Sequence, residues 1–195
     1  MTRNNRHDVV AQALRILDDY GLADLTMRRL AGELGVQPSA LYHHFPHKQQ
    51  LLGAVADELL DRRMPEWPRP TTLDWAERAS AICRELREAM LAYRDGAELV
   101  STVHAFGLGA ARPGEQLAEV LLDAGLSDQT VPTATRTLLH FVFGHTLDEQ
   151  THLQAAAAGA LTDQPWVDSD FELGLAIVVD GVRLRVEVAF PGSPR

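Results

Sequence analysis

Cysteine, lysine, aromatic residues and long apolar runs are all scarce in this chain of 195 residues. The single cysteine, Cys83, cannot close an internal disulfide, which fits a reducing compartment and excludes a disulfide-stapled scaffold. No uninterrupted apolar stretch approaches the ~20 residues of a membrane span, so no membrane partner is expected. Residues 1–30 hold neither an apolar core nor a small-residue cleavage site, so no secretory signal is expected and the location is read as cytoplasmic. Alternation of the strand type is missing, apart from a β-branched patch at Ile177-Val178-Val179 inside a helical frame, and no segment repeats. Net positive charge is missing too. The formal charge is −9, which excludes a protein that coats nucleic acid indiscriminately. What remains, 46% hydrophobic and 23% charged residues, is globular material, long enough to bury a core as one large domain or two small ones.

The charge is unevenly placed. Residues 1–50 carry Arg3, Arg6, Arg15, Arg28, Arg29 and Lys48 against Asp8, Asp18, Asp19, Asp24 and Glu33, a net +1, which leaves −10 on the other 145 residues. A near-neutral head on an acidic body permits oriented contact with phosphates while the body is kept off them.

Apolar residues recur with helical spacing throughout. Val10, Ala13, Leu14 and Leu17 mark a first helix that Gly21 stops. Thr26 is a good N-cap for a short helix from Met27 to Leu34, with Leu30, Ala31 and Leu34 facing inward. Gly35 ends it, and Pro38 suits the first turn of a helix running to about His44. Pro46 stops that one. A fourth helix, His47 to Arg63, carries Leu51, Leu52, Val55, Leu59 and Leu60 on its buried side. Three prolines between Met64 and Thr71 mark the clearest boundary. It separates a head at 1–47, with its bridging helix at 47–63, from a body at 64–195. In the body, Trp75, Ala79, Ile82, Leu86 and Met90 mark a long helix. Shorter helices are expected at 95–104 and 114–124, and a long one at 128–154 that kinks or begins at Pro132. Residues 155–165 start helix-friendly and end loop-like, and a last helix is expected at 168–188. The fold class is all-α.

The stretch from Leu25 to Phe45 carries the most chemistry. Two short helices joined by a tight turn at Gly35, with Ala31 allowing a close crossing and Val36 and Leu41 filling the corner, have the spacing of a helix-turn-helix. In that motif the first helix braces the second, which enters a major groove ~12 Å wide. A plain helical hairpin is the alternative. The polar and aromatic groups favour the first reading: Gln37, Ser39, Ala40, Tyr42, His43 and His44 suit base edges and phosphates better than they suit a solvated face. Thr26, Arg28 and Lys48 flank them and can reach phosphates, Arg28 also a guanine edge.

The run Leu25-Thr-Met-Arg-Arg-Leu-Ala, followed by Leu34-Gly-Val-Gln-Pro-Ser-Ala-Leu-Tyr-His-His-Phe-Pro-His-Lys, resembles the tetracycline-repressor (TetR) family of bacterial regulators. The body is similar to the tetracycline-repressor type of ligand domain at Leu59-Leu60-Asp61-Arg62, at Tyr93-Arg94-Asp95-Gly96-Ala97 and at Phe143-Gly-His-Thr-Leu-Asp-Glu-Gln150. Phe171-Glu-Leu-Gly-Leu175 and Asp180-Gly181 extend the likeness. The resemblance implies a three-helix DNA-binding head and a larger helical domain for ligand binding and dimerisation. It also implies a homodimer on palindromic double-stranded operator DNA, joined where the helices at 128–154 and 168–188 pair with their copies. Gly174 and Gly181, seven positions apart, would allow close approach there. Leu138, Val142, His145, Glu149, Leu175, Val178 and Val182 complete the expected interface, with internal packing as the alternative.

In the family a small molecule in the body changes the separation of the heads through the bridging helix, and it acts only by favouring one geometry differentially. Here the drug-contacting positions are occupied by Met64, Ile82, Leu86 and Val100, aliphatic where the tetracycline binder has polar and aromatic anchors. The metal-binding histidine expected after Arg94-Asp-Gly-Ala is replaced by Val100-Ser101. Magnesium–tetracycline is therefore disfavoured, and an apolar or amphipathic effector is expected against Met64, Trp67, Ile82, Leu86, Met90, Val100, Val103, His104, Phe106, Leu139, His140 and Phe143. Ordinary core is the alternative for each. His140 is placed on the apolar side as a hydrogen-bonding group. His145, Glu149 and His152 fall at i, i+4 and i+7 of one helix, but without a cysteine or a short His-x-x-x-His pair no metal is assigned to them. Gly107-Leu-Gly-Ala-Ala has no strand before it and is a weak phosphate loop, so neither a cofactor nor an enzyme is expected. The competing readings are a dimeric small-molecule-binding module that no longer reads DNA, and an activator in place of a repressor.

Overall fold

The computed structural model describes residues 5–64, 73–160 and 170–189. Among these the chain is all-α, with helices α1 (Arg6–Tyr20), α2 (Met27–Glu33), α3 (Pro38–Tyr42), α4 (Lys48–Arg63), α5 (Trp75–Leu91), α6 (Gly96–Ala105), α7 (Arg112–Asp123), α8 (Val131–Ala157) and α9 (Phe171–Ala189). The described residues form two compact units, one from those within 5–64 and 88–111 and the other from those within 73–87, 112–160 and 170–189. No helix of the described residues is long and apolar enough to cross a membrane.

In the first unit, α1 opens with a capping box. The Asn5 side chain accepts the Asp8 N–H at 2.9 Å, and the Asp8 carboxylate accepts the Asn5 N–H at 2.9 Å, so two orphan donors are satisfied reciprocally. Val9, Val10, Ala13, Leu14, Ile16 and Leu17 of α1 are buried, and α1 packs against α4 and α2 while α2 packs on α3. The α2–α3 turn needs Gly35, which sits at φ +64°. With that residue left-handed, the Val36 N–H reaches the Ala31 carbonyl at 3.0 Å and the Gly35 N–H reaches that of Gly32 at 3.1 Å, the paired bonds that close a helix end. The third helix stops at Tyr42, two residues short of the expectation, because Pro46 follows and His44 and Phe45 both bond back to the Leu41 carbonyl.

Residues 88–111, which sequence order places in the body, pack with the head. Asp95, itself left-handed at φ 55°, accepts the Leu22 N–H on its carboxylate at 2.7 Å. Asp57 of α4 accepts the Ala110 N–H at 2.7 Å, and the His104 ring donates from Nδ1 to the Ala110 carbonyl at 3.1 Å. Gly53 is required here: a Cβ at that position would collide with the Leu108 carbonyl. These are long-range contacts of single residues, and no shift in composition announces them.

In the second unit, α7 and α9 pack on α8. Pro132 lies in the first turn of α8 rather than at a kink, where its missing N–H is unneeded. The helix runs on to Ala157; residues 161–165 of the expected helix-to-loop stretch lie outside the described residues. Arg84 holds Glu172 of α9 through two nitrogens at 2.7–2.9 Å. That keeps the Glu172 carboxyl below the ordinary range and raises the arginine. Both groups are about half exposed, so the pair contributes roughly 0–1 kcal/mol. Arg87, part-buried, donates to Glu149 of α8 at 2.8 Å and lies over the Phe171 ring at 5.0 Å.

Cys83 is buried, and desolvation pushes its thiol up to about 12. Only the thiolate is nucleophilic. The folded protein is therefore expected to resist iodoacetamide at pH 8 and to label fully once unfolded in guanidinium, as counted by intact mass. Labelling of the folded chain at the rate of a free thiol would contradict this burial.

Candidate nucleic-acid interface and effector site

The candidate interface is built on α2, α3 and the start of α4. Leu30, Ala31, Leu41 and Phe45 are at most 1% exposed and lock α3 against its brace. Thr26, Arg28, Gln37, Ser39, Tyr42 and His43 are exposed, while Ala40, His44 and Lys48 are half-buried. Val36 is only half-buried, so Leu41 carries the corner.

Each exposed group is left with unused bonding capacity. The Thr26 hydroxyl caps α2 by accepting the Arg29 N–H at 3.1 Å, which leaves its own proton for an acceptor such as a phosphate. Gln37 occupies the N-cap of α3 without making a side-chain cap bond, so its amide remains free for another partner. The two adjacent arginines divide their work. Arg29 lies over the Tyr20 ring at 4.2 Å and pairs with Asp24 at 3.2 Å. Arg28 makes no ion pair among the described residues and is the one available to a guanine edge. Arg6 is spent over the Phe45 ring at 4.7 Å. His47, outside the expected set, is exposed at the N-cap of α4.

The residues expected to meet an effector fall into both units. In the first, Met64, Met90, Val100 and Val103 are buried and His104 is half-buried. Phe106 corrects the expectation: it follows the end of α6 and is 70% exposed. In the second, Ile82, Leu86, Leu139 and Phe143 are buried. His140 does not lie on the apolar side. It is exposed, as is Gly144 one turn on, because Leu138, Leu139, Val142 and Phe143 take the core-facing positions of α8. Trp67 lies outside the described residues.

The residues expected at the dimer interface also need correction. Leu138, Val142 and Leu175 are at most 1% exposed and Val182 is buried in the single chain, where they pack inside the second unit, the internal packing that was the alternative. Glu149 is held by Arg87, and His145 lies 5.1 Å from the Phe171 ring. Gly174 gives close approach to Phe141 of its own chain, where a Cβ would come within 2.7 Å of the ring. Gly181 is open and Val178 half-buried. The apolar groups that do face outward on α9 are Leu173, Ile177 and Leu184, each at least 59% exposed, joined by Leu147 and Leu153 of α8. Their signal was a second apolar stripe at i, i+4 and i+11 of a helix that is apolar nearly all round. Among the described residues no group of three or more His, Cys, Asp or Glu side chains is arranged to hold a metal ion.

The head and the body each match a known family. A model of "bacterial regulatory proteins, tetR family" matches residues 9–55, and one of the "tetracyclin repressor-like, C-terminal domain" matches residues 67–168. The class A tetracycline repressor of Escherichia coli transposon 1721 is 35% identical, over 95% of this chain and 93% of its own. The solved structure of Mycobacterium smegmatis BioQ is 46% identical with a TM-score of 0.84, over 93% of this chain and 99% of that one. BioQ with its natural double-stranded DNA operator gives 45% and 0.78, over 92% and 98%. ActR of Streptomyces coelicolor in complex with (S)-DNPA is 30% identical with a TM-score of 0.74, over 94% and 99%.

Proposed function

The chain belongs to the tetR family of bacterial regulatory proteins, and on that premise we propose that it is a ligand-responsive transcriptional repressor. It binds a palindromic operator as a homodimer and is released by a small apolar or amphipathic effector. Residues 1–47 read the DNA, α4 is the link, and residues 64–195 bind the effector and dimerise. The protein works in the cytoplasm and performs no catalysis. The observation that carries the reading is the free polar rim of α3, with Gln37, Tyr42 and His43 exposed above a buried Leu30–Ala31–Leu41 brace. The likeness to BioQ, whose structure holds an operator, and to ActR, whose structure holds a small molecule, supports the two binding roles.

The effector is aliphatic in character because Ile82, Leu86, Leu139 and Phe143 present no charge, and an ion buried against them would lose its hydration uncompensated. The dimer uses the outward stripe of Leu173, Ile177 and Leu184, since a monomer would leave that area in water.

A salt titration on selected operator DNA tests the reading. Specific binding that rests on phosphate contacts from two heads is expected to weaken by about 10³ or more between 50 and 200 mM salt. A flat response, or no selectable DNA, would favour the module that no longer reads DNA, whose support is the net +1 of residues 1–50.

A further inference from the structure

Serine and threonine hydroxyls in a helix can donate to the carbonyl four residues back, and two in this chain do. The exposed Thr137 donates to the Thr133 carbonyl at 2.8 Å, and the half-buried Ser101 to that of Ala97 at 2.6 Å. Two threonines of α8 do not. Thr146 is 0% exposed and Thr135 8% exposed, and neither hydroxyl has a hydrogen-bond partner among the described residues. A buried hydroxyl without a partner costs free energy, and such a group needs an explanation. Valine would fill the same space at both positions without that cost.

Their placement supplies one. Thr135 and Thr146 lie eleven positions apart on α8, a step that returns to nearly the same angle around the helix and advances about 16 Å along it. Between them on the same stripe stand Leu139 and Val142, with Phe143 beside, all buried. The stripe is therefore an apolar bar with an unused hydroxyl at either end.

We infer that Thr135 and Thr146 are the two polar anchors of the effector site, and that the effector is an elongated, uncharged aliphatic molecule with a hydrogen-bonding group at each end. This deepens the regulator reading above and rests on it. The effector is uncharged because a hydroxyl alone does not compensate a buried ion. It is long because the anchors are about 16 Å apart along the axis, and its middle is apolar because the bar offers only dispersion contacts.

The test uses the purified full chain with 1,12-dodecanediol, and with 1-dodecanol as the one-ended comparison, both followed by calorimetry. The diol is expected to bind about tenfold more tightly than the mono-alcohol, the worth of one added hydrogen bond. Thr135→Val and Thr146→Val should each erase that preference, and Thr146→Ser should keep it. Equal binding of the two alcohols, binding of neither, or a preference that survives both valines would overturn the inference. Operator binding measured on the same preparation keeps the failures apart: its loss in wild type sinks the regulator reading itself, whereas its persistence with any of those results sinks only the anchors.

Discussion

Alanine at Tyr42 or at Arg28 is expected to weaken operator binding about thirtyfold or more while the melting temperature stays within a degree or two of wild type. The two halves of that expectation have separate causes. Tyr42 is 49% exposed and Arg28 is exposed with no ion pair among the described residues, so trimming either removes little packing from the head. Each substitution is made twice in a two-fold dimer, and a base or phosphate contact of this kind is worth about 1–3 kcal/mol. The doubled loss is thus roughly 2–6 kcal/mol, or a factor of about 30 to more than 10⁴. Arg29 is the control, because its stacking on Tyr20 and pairing with Asp24 tie it to the fold. Arg29→Ala should lower the melting temperature and change operator affinity less than Arg28→Ala. Fluorescence anisotropy on selected duplexes, beside a thermal melt followed by circular dichroism, reads both effects. Unchanged binding in the Tyr42 and Arg28 variants would mean that α3 does not face DNA.

The head was legible because its signals are local. Thr26 caps, Gly35 turns left-handed and Pro38 starts a helix within a span of thirteen residues, and each acts through its own backbone preference. The burial of Leu30, Ala31 and Leu41 and the exposure of Tyr42 follow from the same short-range pattern. The body was legible only as helices. Whether a given apolar face of α8 or α9 meets its own chain or a copy depends on partners far off in sequence. Leu138, Val142 and Leu175 satisfy a dimer pattern and a core pattern equally well, and in the single chain they are buried. Phe106 and His140 failed for a related reason. One lies just past a helix end and the other one residue off a buried stripe, positions at which a step of about 100° decides between inside and outside. The packing of residues 88–111 with the head rests on Asp57, Asp95 and Gly53 meeting backbone groups, and no periodicity reports a carboxylate that accepts a distant N–H.

The outward stripe of α9 yields the second large effect. Ile177→Glu is expected to convert the protein to a monomer that is still folded and to reduce operator affinity by about 10³ or more. Ile177 is 65% exposed in the subunit, so glutamate there is solvated and the single chain loses little. In the dimer proposed above the same position is covered in both copies. Two carboxylates then lose hydration without partners, and any that face each other repel, which costs several kcal/mol. The DNA consequence follows from linkage. Two heads on one spacer bind the second half-site at a high effective concentration, and that advantage disappears when the spacer does. What remains is one head with the sequence-independent attraction of a few phosphate contacts, typically 10³ or more weaker than specific binding. Leu175→Glu provides the contrast: at 1% exposure it points into its own subunit, and it should unfold the chain rather than split the pair. Light scattering for mass, a thermal melt for folding and a gel shift for binding separate the cases. A dimeric, operator-competent Ile177→Glu protein would place the pairing surface elsewhere than on this face of α9.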